Sequence, residues 1–472
     1  MAFYRRFQLA QAEEIEYRWK NIVLGDEMSN PRFSIVIPTR NRHTTLKYAL
    51  LTCINQKNFG DYEIIVCDNC SSPETKKTVE RFESEKIKYI RSDWPLAMSQ
   101  NWELAVSHAE GEYVIVIGDD DGLLINALYK IDQLLRIFGT EVLRWQRVNY
   151  YWPDYPKDKN RLVIPLVWQN RIMQSREIIS KAANLKVIDW ELPQLYNSAV
   201  HRDIIALLRK KTGRVFAATS PDLYSGFAFA YLSGSYLSVG LPMSISGGSK
   251  SSNGFANLAS KNNPIAHEFN LLNEKAHIRC HPQVPDIPVA SAAIADSFLH
   301  AKDALFPCDS NISINRKRLV INCLRDLSGR YCRGVDNEED WRMYLGKIRD
   351  SLADDVSLQK WFDSKFKDSK ADDVCIGWFD QLVRLNRRFI ASISQESQCS
   401  YGFKKGFNGK EIILDAADFG LTDVFGVAEF CENFYSPKVD ALEWHGQGVK
   451  PDLLIRMKKI RSKIGGLVYR YA

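Results

Sequence analysis

The sequence predicts an α/β protein in which a mostly parallel sheet with flanking helices is followed by a mainly α-helical region. Short blocks rich in Val and Ile, typical of strands buried on both faces, recur through the first third of the chain. Amphipathic segments alternate with these blocks, which favours parallel strands joined by right-handed crossovers. After Pro288 the pattern becomes helical. At 472 residues the chain is long enough for two or three domains.

Four strands are predicted in the first third, and each is followed by a helix. The strands are Phe33–Ile37, Tyr62–Cys67, Ile87–Ile90 and Tyr113–Ile117. The helices are Thr45–Gln56, Pro73–Ser84, one striped by Trp102, Ala105, Val106 and Ala109, and Leu123–Phe138. Pro73 suits the first turn of its helix, because its missing N–H would have no intrahelical partner there.

The middle of the chain is less regular. A strand is predicted at Val142–Arg147, and helices at Ser175–Ala183 and Arg202–Lys210. The stretch between Asp222 and Lys250 has no charged residue and is long enough to span a bilayer, but glycines and a proline interrupt it. It therefore predicts a buried helix and a buried strand, Leu223–Leu232 and Tyr236–Ile245, and then a mobile loop, Ser246–Gly254. Later helices are predicted at Ser291–Leu305, Arg316–Leu327, Trp341–Leu352 and Cys375–Ser392.

Charge and cysteine content limit the class of protein. The net charge is +6, and residues Leu453–Ala472 alone hold six Arg or Lys and no acid. The rest of the chain is thus close to neutral, which argues against a nucleic-acid surface. In the basic segment, apolar residues recur every three or four positions, so a helix there would either lie on an anionic membrane or pack on the protein. The ten cysteines lack zinc-site spacing, which favours a reducing, cytoplasmic setting.

Three consecutive carboxylates mark the candidate site. Asp119, Asp120 and Asp121, here called the aspartate cluster, follow the strand Tyr113–Ile117 with only Gly118 between. Open α/β sheets bind ligands at the carboxyl ends of their strands. Three neighbouring negative charges repel one another, so a cation is expected, and Mg²⁺ or Mn²⁺ carrying a phosphorylated ligand fits best. Alternatively, one aspartate caps the following helix and the others are solvated.

Four motifs resemble those of glycosyltransferase family 2, the inverting enzymes of the GT-A fold that use nucleotide sugars. Ile35–Asn41 and Ile64–Ser72 are similar to the first- and second-strand signatures of that family, and Gly118–Gly122 to its D-x-D segment. Met98–Glu103 is similar to a helix start in members that act on bacterial surface polysaccharides. The resemblance implies residues 31–265 as the GT-A domain, after an extension, 1–30. Residues 266–450 would form the helical domain, and 451–472 the basic helix.

The resemblance also implies roles for individual residues. It gives Asp121 and Asp119 as ligands of the metal. The residues implied to bind the donor nucleotide are Pro38, Thr39, Arg40, Asp68, Asn101, Asp119 and Asp120. Asp68 would bind the base, although it could instead cap the loop before Pro73.

The base of the reaction is implied to lie at a helix start further downstream. Asp222, behind Ser220 and Pro221, fits that position, although an acid there also favours the helix dipole. Glu191 and Asp189 are alternative bases. Three further residues have an open role. His267 and His281 are either late metal ligands or ordinary histidines, and Lys250 either closes over the phosphates or is solvated.

The implied activity is metal-dependent, inverting transfer of a sugar from a nucleotide-diphosphate sugar, commonly a UDP-sugar, to a glycan or lipid-linked glycan. The enzyme would be cytoplasmic, with the basic helix on the cytoplasmic face of the inner membrane. Two other classes stay open. A sugar nucleotidyltransferase would have a glycine-rich loop after the first strand, whereas residues 38–42 contain no glycine. A non-catalytic carbohydrate- or partner-binding protein could share the same sheet.

Overall fold

One mixed sheet organises the molecule. The computed structural model describes residues 30–156, 158–166, 170–186, 191–252, 263–371, 405–407 and 410–435. Within these residues the sheet has twelve strands. The predicted amino-terminal extension, the helix Cys375–Ser392 and the basic helix Leu453–Ala472 lie outside the described residues.

The first four strands are parallel, as predicted. They are β1 (Phe33–Thr39), β2 (Tyr62–Asp68), β3 (Ile87–Arg91) and β4 (Tyr113–Val116). Their order across the sheet is β3-β2-β1-β4. In this register Thr39 lies beside Asp68, so the predicted nucleotide-binding residues of two strands meet at one edge.

The remaining strands make the sheet mixed. They are β5 (Gly122–Leu123), β6 (Val142–Tyr151), β7 (Arg161–Pro165), β8 (Arg171–Gln174), β9 (Ser198–His201), β10 (Ser235–Gly248), β11 (Gly406–Phe407) and β12 (Glu411–Asp415). β9 is antiparallel to both β4 and β6, whereas β10 is parallel to β6. The α/β class is confirmed, but beyond the first four strands the pairing is mostly antiparallel, with the parallel pair of β6 and β10 as the exception. Connections such as that from β6 to β7 contain no crossover helix, which parallel pairing requires.

Thirteen helices flank the sheet within the described residues. They are α1 (His43–Ile54), α2 (Pro73–Glu80), α3 (Met98–Ser107), α4 (Ala127–Phe138), α5 (Ser175–Ala183), α6 (Arg202–Thr212), α7 (Pro221–Ser233), α8 (Pro264–Lys275), α9 (Ala290–Leu305), α10 (Arg316–Cys332), α11 (Glu338–Asp350), α12 (Val356–Phe366) and α13 (Val424–Tyr435). The helix predicted from Leu123 begins later, at Ala127. Leu123 instead pairs with Ser244 of β10, so a tertiary contact overrides local preference.

Two hydrophobic cores cover the two faces of the sheet. Alternate residues of β1 supply them, with Val36 in one core and Ile35 and Ile37 in the other. The Val36 core includes side chains of α3, α5 to α7 and α9 to α12. The Ile35 core includes side chains of α1, α4 and α13. The helical region therefore shares a core with the sheet.

The carboxyl-terminal part of the described chain returns to the sheet. β12 pairs with β7, and Ile412 and Val424 belong to the Ile35 core. The reason is that β7 offers a free edge, which β12 covers. In the described part of the chain no helix has the length and apolar character needed to cross a membrane. The uncharged stretch after Asp222 forms α7 and β10.

Candidate functional site

Asp121 is held at the end of β4 by two backbone N–H groups. Its Oδ2 accepts from Gly118 N at 2.8 Å, and its Oδ1 accepts from Gly247 N at 2.7 Å. Gly247 lies at the end of β10, and the backbone passes very close to the cluster there. A Cβ at Gly247 would lie 1.7 Å from the carbonyl oxygen of Asp120, so only glycine fits.

Asp119 faces the loop after β1. Its Oδ2 accepts from Thr39 Oγ1 at 2.7 Å, and its Oδ1 forms an ion pair with Arg42 Nη1 at 3.0 Å. Arg42 also donates to the carbonyl of Ser251. The structure thus brings together Thr39 and Asp119, which lie 80 positions apart in sequence, as the resemblance implies.

Asp120 faces the loop that follows β10. Its Oδ2 accepts from Ser249 Oγ at 2.7 Å and from Ser252 Oγ at 2.5 Å. Its backbone oxygen accepts from Trp152 Nε1 at 3.0 Å. The predicted mobile loop, Ser246–Gly254, is therefore bonded to the cluster as far as Ser252, the last of its residues that the structure describes. Lys250 is exposed, and its backbone N donates to Asp154.

The cluster carries more negative charge than its neighbours offset. Burial, together with the charge of Asp120, raises the pKa of Asp121 to about 7. Burial also raises the pKa of Asp119, with Arg42 opposing the rise. The positive charge of Arg147 on β6 acts on Asp121 as well. A raised carboxyl pKa means that the ionised form lacks full compensation, which a cation would supply.

The aspartate cluster fits a divalent ion that is shared with a ligand. Each oxygen of Asp121 accepts one N–H, and a carboxylate oxygen has a second lone pair. In the described ranges no group of three or more His, Cys, Asp or Glu side chains forms a metal cage. Mg²⁺ commonly binds one or two carboxylates plus phosphate oxygens, so a complete protein cage is not required.

The two histidines considered as metal ligands have different surroundings. His281 Nε2 is 3.1 Å from Asp303 Oδ2, on helix α9. His267 is exposed on α8.

Asp68 lies fully buried at the end of β2. Its Oδ1 accepts from Ser71 N at 2.8 Å, and its Oδ2 accepts from Tyr89 Oη at 2.5 Å and from Arg91 Nη1 at 2.7 Å. Three donors occupy a group with about four acceptor sites, which leaves room for one more donor. Tyr89 and Arg91 were not predicted as site residues. Their alternate positions at the end of β3, beside β2, are the signal that could have found them.

The other predicted donor-binding residues surround the same strand ends. Asn101 is buried, and its Oδ1 accepts from the Cys67 thiol at 3.3 Å. Arg40 donates to the Asn69 carbonyl at 2.6 Å and pairs with Glu268 of α8. Arg40 Nε is buried without a hydrogen-bond partner among the described residues. Pro38 is half-buried, next to Thr39.

Asp222 lies in the first turn of α7 and borders the same site. This is indicated by the pKa of Tyr196, a residue of the short 3₁₀ helix Leu195–Asn197. Burial raises the pKa of Tyr196 well above its ordinary value, and the charge of Asp222 and those of the aspartate cluster add to the rise. The charges of Asp222 and of the aspartate cluster therefore act on the same residue. Its ring meets Trp102 edge-on at 4.9 Å.

Tyr196 was not predicted from the sequence, because nothing marks an aromatic residue in that irregular segment.

The two alternative bases, Glu191 and Asp189, differ from Asp222 in their placement. Glu191 acts electrostatically on Arg144, a buried residue of β6 that donates to Ser238 at 2.7 Å. Asp189 lies outside the described residues. Of the two described candidates, only Asp222 is among the charges that act on Tyr196.

Parallel strand ends that gather buried acids, arginines and backbone donors define a ligand-binding α/β domain. Residues 34–193 match the family described as glycosyl transferase family 2, which confirms the resemblance carried by the strand-end motifs.

Three curated relatives match part of the chain. A GalNAc(5)-diNAcBac-PP-undecaprenol beta-1,3-glucosyltransferase of Campylobacter jejuni is 36% identical over 106 residues, which are 22% of this chain and 34% of that protein. Abequosyltransferase RfbV of Salmonella typhimurium is 33% identical over 99 residues, 20% of this chain and 30% of the relative. Chondroitin synthase of Escherichia coli is 28% identical over 174 residues, which are 35% of this chain and 24% of that protein.

The matches cover only part of each protein. The chain spans about a third of the length of the first relative. The solved structure of S. aureus TarS 1-349 in complex with UDP aligns over 74% of this chain and 91% of its own. Its sequence identity to this chain is 16%, and the TM-score is 0.40.

Proposed function

We propose that the protein is a metal-dependent inverting glycosyltransferase that moves a sugar from a UDP-sugar to a glycan hydroxyl in surface-polysaccharide biosynthesis. The observation that carries this proposal is the buried aspartate cluster at the carboxyl end of β4, bonded to Thr39 at the end of the neighbouring parallel strand β1. The charge of Asp222 acts on the same tyrosine, Tyr196, as the charges of the cluster. The family match and the names of the relatives support transfer of a sugar.

The donor half of the site is assigned to the ends of β1, β2 and β4. Asp68, with its one remaining acceptor position, would receive an N–H from the nucleotide base. Thr39 and Arg42 would keep Asp119 ionised and oriented towards the ribose, because both already donate to it. The unpartnered Nε of Arg40 is a further donor at this edge. These groups bind and orient the donor without themselves reacting.

Asp121 and Asp119 would hold Mg²⁺ or Mn²⁺, which would offset charge growing on the leaving diphosphate. Asp121 is the better placed of the two, because no arginine forms an ion pair with it in the described structure, whereas Arg42 neutralises Asp119. Asp120 would support the site indirectly, by fixing the loop of Ser249 and Ser252.

Asp222 would take the proton from the acceptor hydroxyl as that hydroxyl attacks the sugar carbon opposite the leaving group. Its half-buried position at the start of α7 suits a base that must be reached by an acceptor. Tyr196 stays protonated because its pKa is raised well above 10.0, so its hydroxyl can donate a hydrogen bond to a sugar between the two acidic groups.

The acceptor class is inferred from the relatives. The Campylobacter jejuni relative is named for an undecaprenol-linked substrate, and we extend this to a lipid-linked glycan acceptor here. The basic segment Leu453–Ala472 would then bring the enzyme to the cytoplasmic face of an anionic membrane.

The decisive experiment is incubation with a panel of nucleotide sugars and Mn²⁺, with nucleoside diphosphate release as the readout. Release that depends on an added glycan acceptor supports the proposal. Pyrophosphate release from a nucleoside triphosphate and a sugar phosphate would indicate a nucleotidyltransferase instead. A thermal shift with nucleotide sugars but no turnover on any acceptor would indicate a binding protein.

A further inference from the structure

The loop that leads into α7 contains a strained residue. Ala218 has a φ of +63°, in the left-handed region that favours glycine, although it carries a Cβ and is buried. Such a conformation persists only where the surroundings fix it, and it concentrates near functional sites. Asp222 follows four positions later. The contacts that hold this loop therefore help to determine the position of the Asp222 carboxylate.

The first contact comes from α3. Glu103 Oε2 accepts from the backbone N of Val215 at 2.7 Å and of Phe216 at 3.1 Å. The other oxygen of Glu103 pairs with Arg209 of α6 at 2.9 Å. Next to it, Trp102 meets the ring of Phe216 edge-on at 5.3 Å. The motif Met98–Glu103 thus fixes the front of the loop.

The second contact comes from α9, in the helical region. Asp296 is buried, and its Oδ2 accepts from Thr219 Oγ1 at 3.2 Å. Its Oδ1 accepts from His281 N at 2.7 Å and lies 3.3 Å from His300 Nε2. The neighbouring Ser297 Oγ donates to the carbonyl of Ser220 at 3.4 Å. Asp296 is itself fixed and can in turn fix Thr219.

We propose that Glu103 and Asp296 are positioning residues that hold the loop 215–220 from two sides and so place Asp222 against the acceptor hydroxyl. The inference rests on the proposed function, in which Asp222 is the base. It also gives helix α9 a part in the reaction, although α9 lies outside the segment 34–193 that matches the family. The donor side of the site does not depend on these contacts.

The test is Thr219→Val, which keeps the shape of the side chain and removes the hydroxyl that donates to Asp296. We expect kcat to fall by roughly 10- to 100-fold, the usual result of a small misplacement of a reacting group. The KM for the donor should stay within about twofold of wild type, because the donor side is untouched. Thr219→Ser restores the donor hydroxyl and should recover most of kcat.

The matched control is Ser291→Ala on the same helix. Ser291 Oγ donates to Asp326 Oδ2 at 2.6 Å and makes no contact with the loop. This variant should lower the thermal midpoint while leaving kcat unchanged. If Ser291→Ala and Thr219→Val lose kcat equally, the effect is general loss of helix packing and the positioning role is wrong.

Two further outcomes separate the inference from the function on which it rests. If Asp222→Asn is inactive while Thr219→Val turns over like wild type, the loop contacts do not set the base and the inference fails alone. If Asp222→Asn keeps full activity, Asp222 is not the base, and both proposals fall. A thermal shift with UDP and Mn²⁺ in Thr219→Val, equal to that of wild type, reports that the donor side is intact.

Discussion

The two halves of the candidate site are built in different ways. The donor half gathers residues at or just beyond the ends of strands, such as Thr39, Asp68 and Asp119, and the register of β1, β2 and β4 brings them together. The half around Asp222 depends on a loop held by side chains of two distant helices. Strand ends place side chains through the backbone ladder, whereas a loop needs specific tertiary contacts. Substitutions should therefore separate donor binding from transfer.

The largest expected effect comes from Asp121→Asn, which keeps the shape of the side chain and removes its charge. Without that charge the donor half should no longer hold a divalent ion, and turnover should fall by about 10³-fold or more, as expected for several kcal/mol of lost stabilisation. Turnover of the wild type should stop in excess EDTA and return with Mn²⁺. Acceptor-dependent release of nucleoside diphosphate is the readout.

The control for Asp121 is Asp132→Asn. Asp132 is also buried and charged, but it pairs with Arg32 at 2.9 Å, away from the site. The activity of each folded molecule should be unchanged in this variant. Undiminished turnover of wild type in EDTA, or of Asp121→Asn itself, would mean that transfer does not require the metal.

The next largest effect concerns the other half of the site. Asp222→Asn cannot accept a proton, so kcat should fall by about 10²- to 10⁴-fold, the usual contribution of a general base. Glu191→Gln is the matched comparison, because Glu191 balances Arg144 in the interior. Normal turnover of Asp222→Asn together with an inactive Glu191→Gln would transfer the role of base to Glu191.

A third substitution tests the close contact at Gly247. Gly247→Ala places a Cβ 1.7 Å from a backbone oxygen, so β10 or the aspartate cluster must shift. We expect a loss of about 1–3 kcal/mol or more in the free energy of unfolding, measured with denaturant, and weaker donor binding. Gly346→Ala, in α11 with open space around it, should be neutral or slightly stabilising. Equal stability of the two variants would contradict the packing described here.

The smallest effect is the pH dependence of the His300–Asp296 pair. The hydrogen bond with Asp296 raises the pKa of His300 above 6.5, against the opposite effect of burial. Burial alone would raise the pKa of Asp296, but its hydrogen bonds with His300 and His281 N outweigh this and lower it. The stabilisation from His300 is thus fully present below pH 6.5 and is lost as the pH rises through its raised pKa.

His300→Gln should therefore destabilise the protein more near pH 5.5 than near pH 8.5. We expect the difference to be under about 1 kcal/mol, because the His300 side chain is 31% exposed. His281, Asp303 and Cys280 lie near the pair and are present in both proteins, so wild type and variant are compared at each pH by denaturant unfolding. An equal loss at both pH values would mean that the ion pair adds no stability.

More residues of the donor half than of the half around Asp222 have a recognisable signal in the sequence. The apolar block of β4 marks where that strand ends, and the aspartate cluster follows from that, whereas Thr39 follows only from the family resemblance. Tyr196 and Asp296 gave no local signal, because their importance comes from contacts across the fold. Leu123 shows the same limit, since pairing with β10 draws it out of the predicted helix. The returning β12 and α13 also depend on an open sheet edge that only the tertiary structure reveals.

The most direct test of the central claim is the affinity for UDP with Mn²⁺ by calorimetry in Asp121→Asn and Asp222→Asn. In the proposed mechanism one site has two functions, with donor binding at the aspartate cluster and proton transfer at Asp222. We predict that Asp121→Asn loses most of its Mn²⁺-dependent UDP affinity, whereas Asp222→Asn binds UDP like wild type and transfers no sugar. Equal affinities in the two variants, or loss of affinity in Asp222→Asn alone, would contradict that division.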